Sequence, residues 1–268
     1  MRFVMGSIFA AGLLIMVLAA GRSDDVAASE PAPGEARSPV LVELFTSEGC
    51  SSCPPADALL MRLDQEARVA GAEVIVLSEH VDYWNYIGWT DPFSSSDYSE
   101  RQRTYARTLD GEVYTPQMVV DGREGFVGSD ERRARAAIAR ASQKPKASVE
   151  IQSAGRTDDG KLVLAVRVAD LPQSAEGGKA ELLVALTEGN LTVAVPRGEN
   201  SGRQLSHTSV VRRLERVGKL DAGREFSTKL VMAPASGWKL RDLRAVAIVQ
   251  ERRSQQILGV GQARLGGL

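Results

Sequence analysis

The chain has 268 residues, length enough for one large or two ordinary domains. Hydrophobic residues make up 43% and charged residues 25%, which excludes a disordered, collagen-like or polytopic membrane chain. With 33 Lys+Arg against 34 Asp+Glu the formal net charge is −1, so a whole-protein attraction to nucleic acid is not expected, and two cysteines are too few for a disulfide scaffold.

Arg2 and the uncharged run Ile8 to Ala20 open the chain. Thirteen apolar residues fall short of the roughly 20 that a membrane span needs, so 1–21 is expected to be a signal peptide. A periplasmic or secreted protein follows from it, without stable membrane insertion after cleavage. Residues 22–38 are rich in Pro, Ala, Ser and charge, and read as a flexible tether. Val40 to Phe45 is a short apolar, β-branched run, a buried strand. After Cys50-Ser51-Ser52-Cys53-Pro54-Pro55, a helix carries Leu59, Leu60, Leu63 and Ala67 at helical spacing and is stopped by Gly71. Glu73 to Ser78 is a second strand, completing a strand–helix–strand unit with both cysteines at its first turn.

A polar and aromatic stretch, His80 to Phe93, precedes a helix expected at 97–109, with Asp97 and Glu100 as a capping box. Met118 to Val120 and Phe126-Val127 pair across an Asp121-Gly122 hairpin turn. Ser129 to Glu131 opens a helix with Ala134, Ala137, Ile138 and Ala141 on one face. A first domain is therefore expected over 39–143. From Ala147 the pattern turns to β runs at 148–153, 161–169, 180–187, 191–195, 208–217, 225–232, 243–250 and 256–262, the spacing of a sandwich over 147–268. Pro39 to Gln143 carries 10 Arg against 17 acidic residues, −7, whereas Lys144 to Leu268 carries 20 basic and 13 acidic residues, +7. The near-neutrality is a cancellation, and it suggests that the halves dock or that an acidic partner is recruited.

Two thiols at a helix N-terminus meet unpaired N–H groups and the positive end of the dipole, which stabilise a thiolate. Cys50 is expected to be the exposed attacking sulfur and Cys53 the resolving one, with an inert disulfide as the alternative. His80 could shuttle protons, join Cys50 and Cys53 around a metal such as copper, or sit as a hydrogen-bonded loop residue. Tyr83, Trp84, Tyr86, Trp89 and Phe93 form either a substrate rim or core. Arg212, Arg213 and Arg216 read as a solvated face. His207 has no nucleophile or acid pair near it in sequence and is assigned no chemistry. There is no phosphate loop, Ser-His-Asp order or HExxH.

The strand, the CxxC-Pro at a helix start and Thr115-Pro116 before a strand resemble the thioredoxin superfold. VELFTSEGCSSCPPAD, HVDYWNYIGWTDPF, ERQRTYA, VYTPQMVVDG and the stretch Gly198 to Arg212 resemble, more narrowly, the bacterial secreted thioredoxin-like family called domain of unknown function 1223. That resemblance implies that Pro116 is a cis proline beside the disulfide and that Thr115 offers backbone hydrogen bonds to a substrate peptide. Thioredoxin relatives also carry a buried acid six residues before the first cysteine. Here that position is Leu44, with Glu43 one residue earlier. Glu43 would accept the Cys53 proton if it faces it, but neighbouring strand residues face opposite sides.

The expectation is an α/β thioredoxin-like domain followed by an all-β, immunoglobulin-like sandwich. The expected function is an exported thiol–disulfide oxidoreductase acting on protein or peptide thiols and disulfides, with no cofactor. Cys50, Cys53, Pro116 and Glu43 are its candidate catalytic residues, and Thr115, Ser51, Ser52 and Trp84 its candidate substrate contacts. A metal-handling protein using Cys50, Cys53 and His80, or an interaction module with a structural CxxC, are the alternatives.

Overall fold

The computed structural model describes residues 38–172 and 179–266. The expected signal peptide at 1–21 and, Ser38 apart, the tether at 22–38 lie outside these residues. In the first half the elements are β1 (Val40–Thr46), α1 (Pro54–Glu66), β2 (Arg68–Val69), β3 (Ala72–His80), α2 (Ser96–Thr108), β4 (Gln117–Val120), β5 (Glu124–Val127) and α3 (Glu131–Ala141). Helix α1 begins on two prolines, whose missing N–H groups would have had no intrahelical partner, and it ends at Ala67 in the left-handed region, φ 57°. Ser95 caps α2 by accepting from Asp97 N–H, in place of the expected Asp97/Glu100 box. The β4–β5 turn has positive φ at both Asp121 and Gly122, as a tight hairpin needs; a Cβ at Gly122 would overlap the Gln255 carbonyl.

The second half is β6 (Ser148–Arg156), β7 (Leu162–Ala169), β8 (Ala180–Glu188), β9 (Leu191–Ala194), β10 (Gln204–His207), β11 (Val210–Leu220), β12 (Phe226–Met232), β13 (Leu243–Glu251) and β14 (Ile257–Arg264). All eight expected runs are strands, and β10 is an additional one. Strands β6, β7 and β12 form a three-stranded sheet that covers part of the main sheet. Leu162, Leu164, Val166 and Val168 of β7 alternate inward there, against Leu182, Val184 and Leu186 of β8 and Ala245, Ala247 and Val249 of β13.

The expected break near Gln143 is not a break in packing. Among the described residues the main sheet runs β14-β13-β8-β11-β3-β1-β4-β5, with β2 paired to β3, so it crosses from one half to the other. The crossing is a short parallel contact, Val210 opposite Ser78, with Ser78 N–H donating to Ser209 O at 2.9 Å. On one face α1 and α3 cover Val40, Val42 and Leu44 with Leu59, Leu60, Leu63, Ala134 and Ile138. On the other, Leu41, Ile75 and Leu77 share a cluster with Leu183, Ala185, Val246 and Ile248. That common core explains why 39–143 and 147–268 do not separate: the described residues belong to one compact unit. Opposite charges also meet across it, at Arg244–Asp64 (2.5 Å) and Lys146–Asp121 (2.6 Å).

Candidate functional site

Strands β1 and β3 run parallel with Val40 opposite Val74 and Thr46 opposite His80, so both strand ends open toward the start of α1. From Thr46 the chain turns tightly: Gly49 N–H donates to Ser47 Oγ at 3.0 Å and Cys50 N–H to Ser47 O at 3.1 Å. Only a glycine fits at 49 without displacement, because a Cβ would stand 3.1 Å from Trp84 Cβ. Cys50 and Cys53 are joined in a disulfide, with Cα atoms 5.4 Å apart. Cys53 occupies the N-cap of α1, where its carbonyl accepts from Ala56 and Asp57 N–H.

Thr115–Pro116 is a cis peptide. Pro116 lies beside the first turn of α1: a Cβ on Gly128 would come within 3.2 Å of Pro116, 3.1 Å of Ala56 and 2.7 Å of Leu44. Trp84 spans the gap between the CxxC turn and the cis loop, its indole N–H donating to Thr115 Oγ1 at 2.7 Å. Ser51 and Ser52 are exposed, and Ser52 Oγ is 3.4 Å from Cys50 Sγ.

Cys50, expected to be exposed, is not. Its relative exposure is 1% and that of Cys53 is 0%. The cover is the loop between β9 and β10. Asn200 Nδ2 donates to Glu48 O (2.8 Å) and Cys50 O (3.0 Å), and Glu199 accepts from Ser51 N–H at 3.1 Å. These partners lie about 150 residues from the cysteines in sequence, beyond the reach of any local pattern.

Beneath the disulfide turn is a buried polar centre. His80 Nδ1 is 2.7 Å from Asp91 Oδ2, and His207 Nε2 is 3.3 Å from Glu48 Oε1. The two imidazoles meet edge to face at 4.8 Å. Glu48 also accepts from Trp89 Nε1 at 2.7 Å, while Asp91 accepts from Glu48 N–H and Phe93 N–H at 2.9 Å each. Asp57, one helical turn after Cys53 and therefore on its face of α1, stands with Oδ1 4.0 Å from His207 Nδ1. Thr46 Oγ1, Asp57 Oδ1, His80 Nε2 and His207 Nδ1 are buried without a hydrogen-bond partner. Burial raises the Asp57 carboxyl above the usual range, against the charges of His207 and His80. Burial opposes the His80 imidazolium, yet the carboxylates around it, Asp91 first and then Asp57 and Glu48, together raise its pKa. Asp91 is correspondingly lowered, its burial overcome by His80. His207, assigned no chemistry from sequence, thus belongs to this centre. Asp57 had a usable signal, its place four residues after Cys53.

Glu43 does not face the disulfide. Leu44 points toward α1, so Glu43 points to the opposite side, where it accepts from Arg101 Nε at 2.6 Å and Tyr105 OH at 2.5 Å. Its neighbour there is Glu79, 3.4 Å from Arg101 Nε and raised well above the usual carboxylate range by burial and by Glu43. The proposed Cys50, Cys53 and His80 ligand set is not assembled either. The sulfurs are bonded to each other, His80 Nδ1 is held by Asp91, and among the described residues no group of three His, Cys, Asp or Glu side chains is arranged to hold a metal ion. Arg212 is no free surface charge: it stacks between Phe93 and Trp238 at about 5 Å and pairs with Glu188 at 3.1 Å.

The sequence matches the family described as "Protein of unknown function (DUF1223)" over residues 41–250. The crystal structure of protein AGR_C_4864 from Agrobacterium tumefaciens is similar, with 31% identity and a TM-score of 0.68 over 87% of this chain and 97% of that one. HBP35 of Porphyromonas gingivalis shares the fold at 16% identity, with a TM-score of 0.63 over 87% of this chain and 77% of that one. A search of the curated proteins found no match.

Proposed function

We propose that this chain, which belongs to the DUF1223 family, carries out thiol–disulfide exchange through Cys50 and Cys53 on a thioredoxin-like scaffold in an oxidising, extracytoplasmic compartment. The observation that carries the reading is a cysteine pair joined at the N-terminus of α1 with a buried acid, Asp57, whose Oδ1 has no hydrogen-bond partner, on the same helix face. A disulfide that links cysteines only three residues apart closes too small a loop to add much chain-entropy stability, which fits a redox couple better than a staple. Its presence also suits an exported protein, where such bonds persist. No helix among the described residues is long and apolar enough to cross a membrane.

In the reduced form, the Cys50 thiolate attacks one sulfur of a substrate disulfide; that S–S bond breaks and one substrate thiolate leaves. Cys53 gives its proton to the Asp57 carboxylate and attacks Cys50 Sγ. The Cys50–Cys53 bond closes, the second substrate thiolate leaves, and two electrons have passed to the substrate. The reverse reaction makes and breaks the same bonds. Asp57 takes the role expected of Glu43, because the alternation of β1 sends Glu43 away.

The test is catalysis of insulin disulfide reduction by dithiothreitol, together with the potential of the couple in glutathione buffers. Acceleration by the wild type and none by Cys50→Ser supports exchange. A rate equal to the uncatalysed one, with a potential below about −300 mV, identifies a structural disulfide and overturns the reading.

A further inference from the structure

The exchange reading leaves a difficulty, since a third sulfur must approach Cys50 in line and Cys50 is buried. What covers it is specific. Asn200 is fully buried in an otherwise mostly exposed loop, and each of its polar atoms is used. Nδ2 donates to the carbonyls of Glu48 and Cys50, while Oδ1 accepts from Arg203 Nη1 at 3.1 Å. One residue earlier, the Glu199 carboxylate accepts from Ser51 N–H. A carboxamide is chemically a peptide amide, and a carboxylate oxygen accepts as a peptide carbonyl does. Together they satisfy three backbone groups that flank Cys50 on both sides.

The loop is held to the CxxC turn by polar contacts. Strands β9 and β10 pair with each other and with no other described strand, and such a two-stranded ribbon is marginal alone. Gly198 (φ 80°) and Gly202 (φ 77°) bracket Glu199 and Asn200 in the left-handed region. Beyond the three hydrogen bonds to the CxxC turn, the loop touches the aromatic stretch where Gly198 lies against Trp89. The base of the ribbon is tied more firmly, by His207 to Glu48 and by Thr208 Oγ1 to Asp64 at 2.6 Å.

We propose that residues 196–203 occupy the docking site of the substrate, an extended polypeptide segment flanking its own cysteine, and that this segment displaces the loop by taking over its hydrogen bonds to Glu48 O, Cys50 O and Ser51 N–H. The proposal rests on the exchange reading. Main-chain pairing of this kind gives affinity for a polypeptide whatever its side chains. A peptide substrate replaces the lost bonds one for one, whereas a small thiol without adjoining amides must bear the whole cost of opening.

The test compares two reductants on the oxidised protein, dithiothreitol and a ten-residue peptide carrying two thiols, with products trapped by acid and alkylation. Asn200→Ala removes both hydrogen bonds from Asn200 to the CxxC turn, about 1 kcal/mol each, together with the bond from Arg203 inside the loop, so its reduction by dithiothreitol should be roughly 10- to 30-fold faster than wild type. Its reduction by the peptide should rise less than threefold. Glu199→Ala, a change at an exposed side chain, should give a smaller acceleration of the same kind, about three- to fivefold for one bond. Dithiothreitol rates within twofold of wild type in both variants overturn the cover. Equal acceleration with both reductants shows a plain lid and overturns the docking site. If dithiothreitol rates rise but the peptide dithiol reduces neither the wild type nor any variant, the cover stands and the exchange reading fails.

Discussion

Glu43 and Asp57 are both buried acids near β1, and substituting each separates chemistry from structure. Glu43→Gln is the sharper test. Glu43 is fully buried and accepts from the Arg101 guanidinium and the Tyr105 hydroxyl, while the Arg101 side chain is itself only 10% exposed. Removing one partner of a buried ion pair ordinarily costs about 3–5 kcal/mol, because the survivor is left charged and unpaired. Two features reduce that here. Gln still accepts from Tyr105, and Glu79 stands 3.4 Å from Arg101 Nε with neither oxygen hydrogen-bonded. Burial first, and the Glu43 charge second, raise the Glu79 carboxyl well above the usual carboxylate range. With Glu43 neutralised the second cause disappears, which lowers the cost of ionising Glu79 beside Arg101. The expected loss is therefore about 2 kcal/mol, or about 4–8 °C in Tm for a unit of this size. Urea titration and calorimetry at pH 7 measure it, and the exchange rate should stay within twofold of wild type. Adding Glu79→Gln should cost more than the two single losses together, since Arg101 then has no carboxylate. A stability loss under about 0.5 kcal/mol with a tenfold slower exchange would refute the argument and return Glu43 to the disulfide.

Asp57→Asn should do the opposite, slowing exchange at least tenfold while stabilising the fold at neutral pH. The folded-state pKa of Asp57 is raised, so the native state is favoured while the carboxyl stays protonated and loses that advantage as pH rises through the raised value. The gain from Asn should appear at pH 7.5 in urea titrations and vanish by about pH 3.5, below the ordinary Asp value. His80→Phe should cost about 2–4 kcal/mol near pH 5.5. The raised His80 contributes below the usual His range and fades as pH rises through its folded value, and the lowered Asp91 contributes above the usual Asp range, so the cost should shrink by pH 8.5. Gly128→Ala pushes a methyl to 2.7 Å from Leu44 Cδ1 and 3.1 Å from Ala56, and should lose about 1–3 kcal/mol with an unchanged urea m-value.

The expected strands were legible where they alternate, as Leu162 to Val168, or are continuously apolar, as Val74 to Leu77, because both patterns report burial directly, whereas β2 and β10 are too short to show either. The join between the halves was not. It depends on Val210 meeting Ser78, a pairing that uses backbone groups alike in every residue and leaves no mark in composition. Its signal was indirect: an acidic half and a basic half that find each other at Asp64–Arg244 and Asp121–Lys146.

The site divides along the same line. The Cys50–Cys53 bond and the cis Thr115–Pro116 peptide were legible because each is carried by a short local motif. Glu43 failed by a single residue, and on a strand one residue reverses the face, so nearness in sequence to the right position counted for nothing. His207, Asn200 and Glu199 come from the half that read as separate, and only tertiary packing sets them on the CxxC turn. One clue was available. A chain of this length with just two histidines, each on or beside an apolar run, has to find a partner for each when they are buried. They found carboxylates, Asp91 and Glu48, and Glu48 also holds out its backbone carbonyl to the covering loop. The polar centre and the cover thus share one residue, Glu48, whose side chain serves the first and whose backbone carbonyl serves the second.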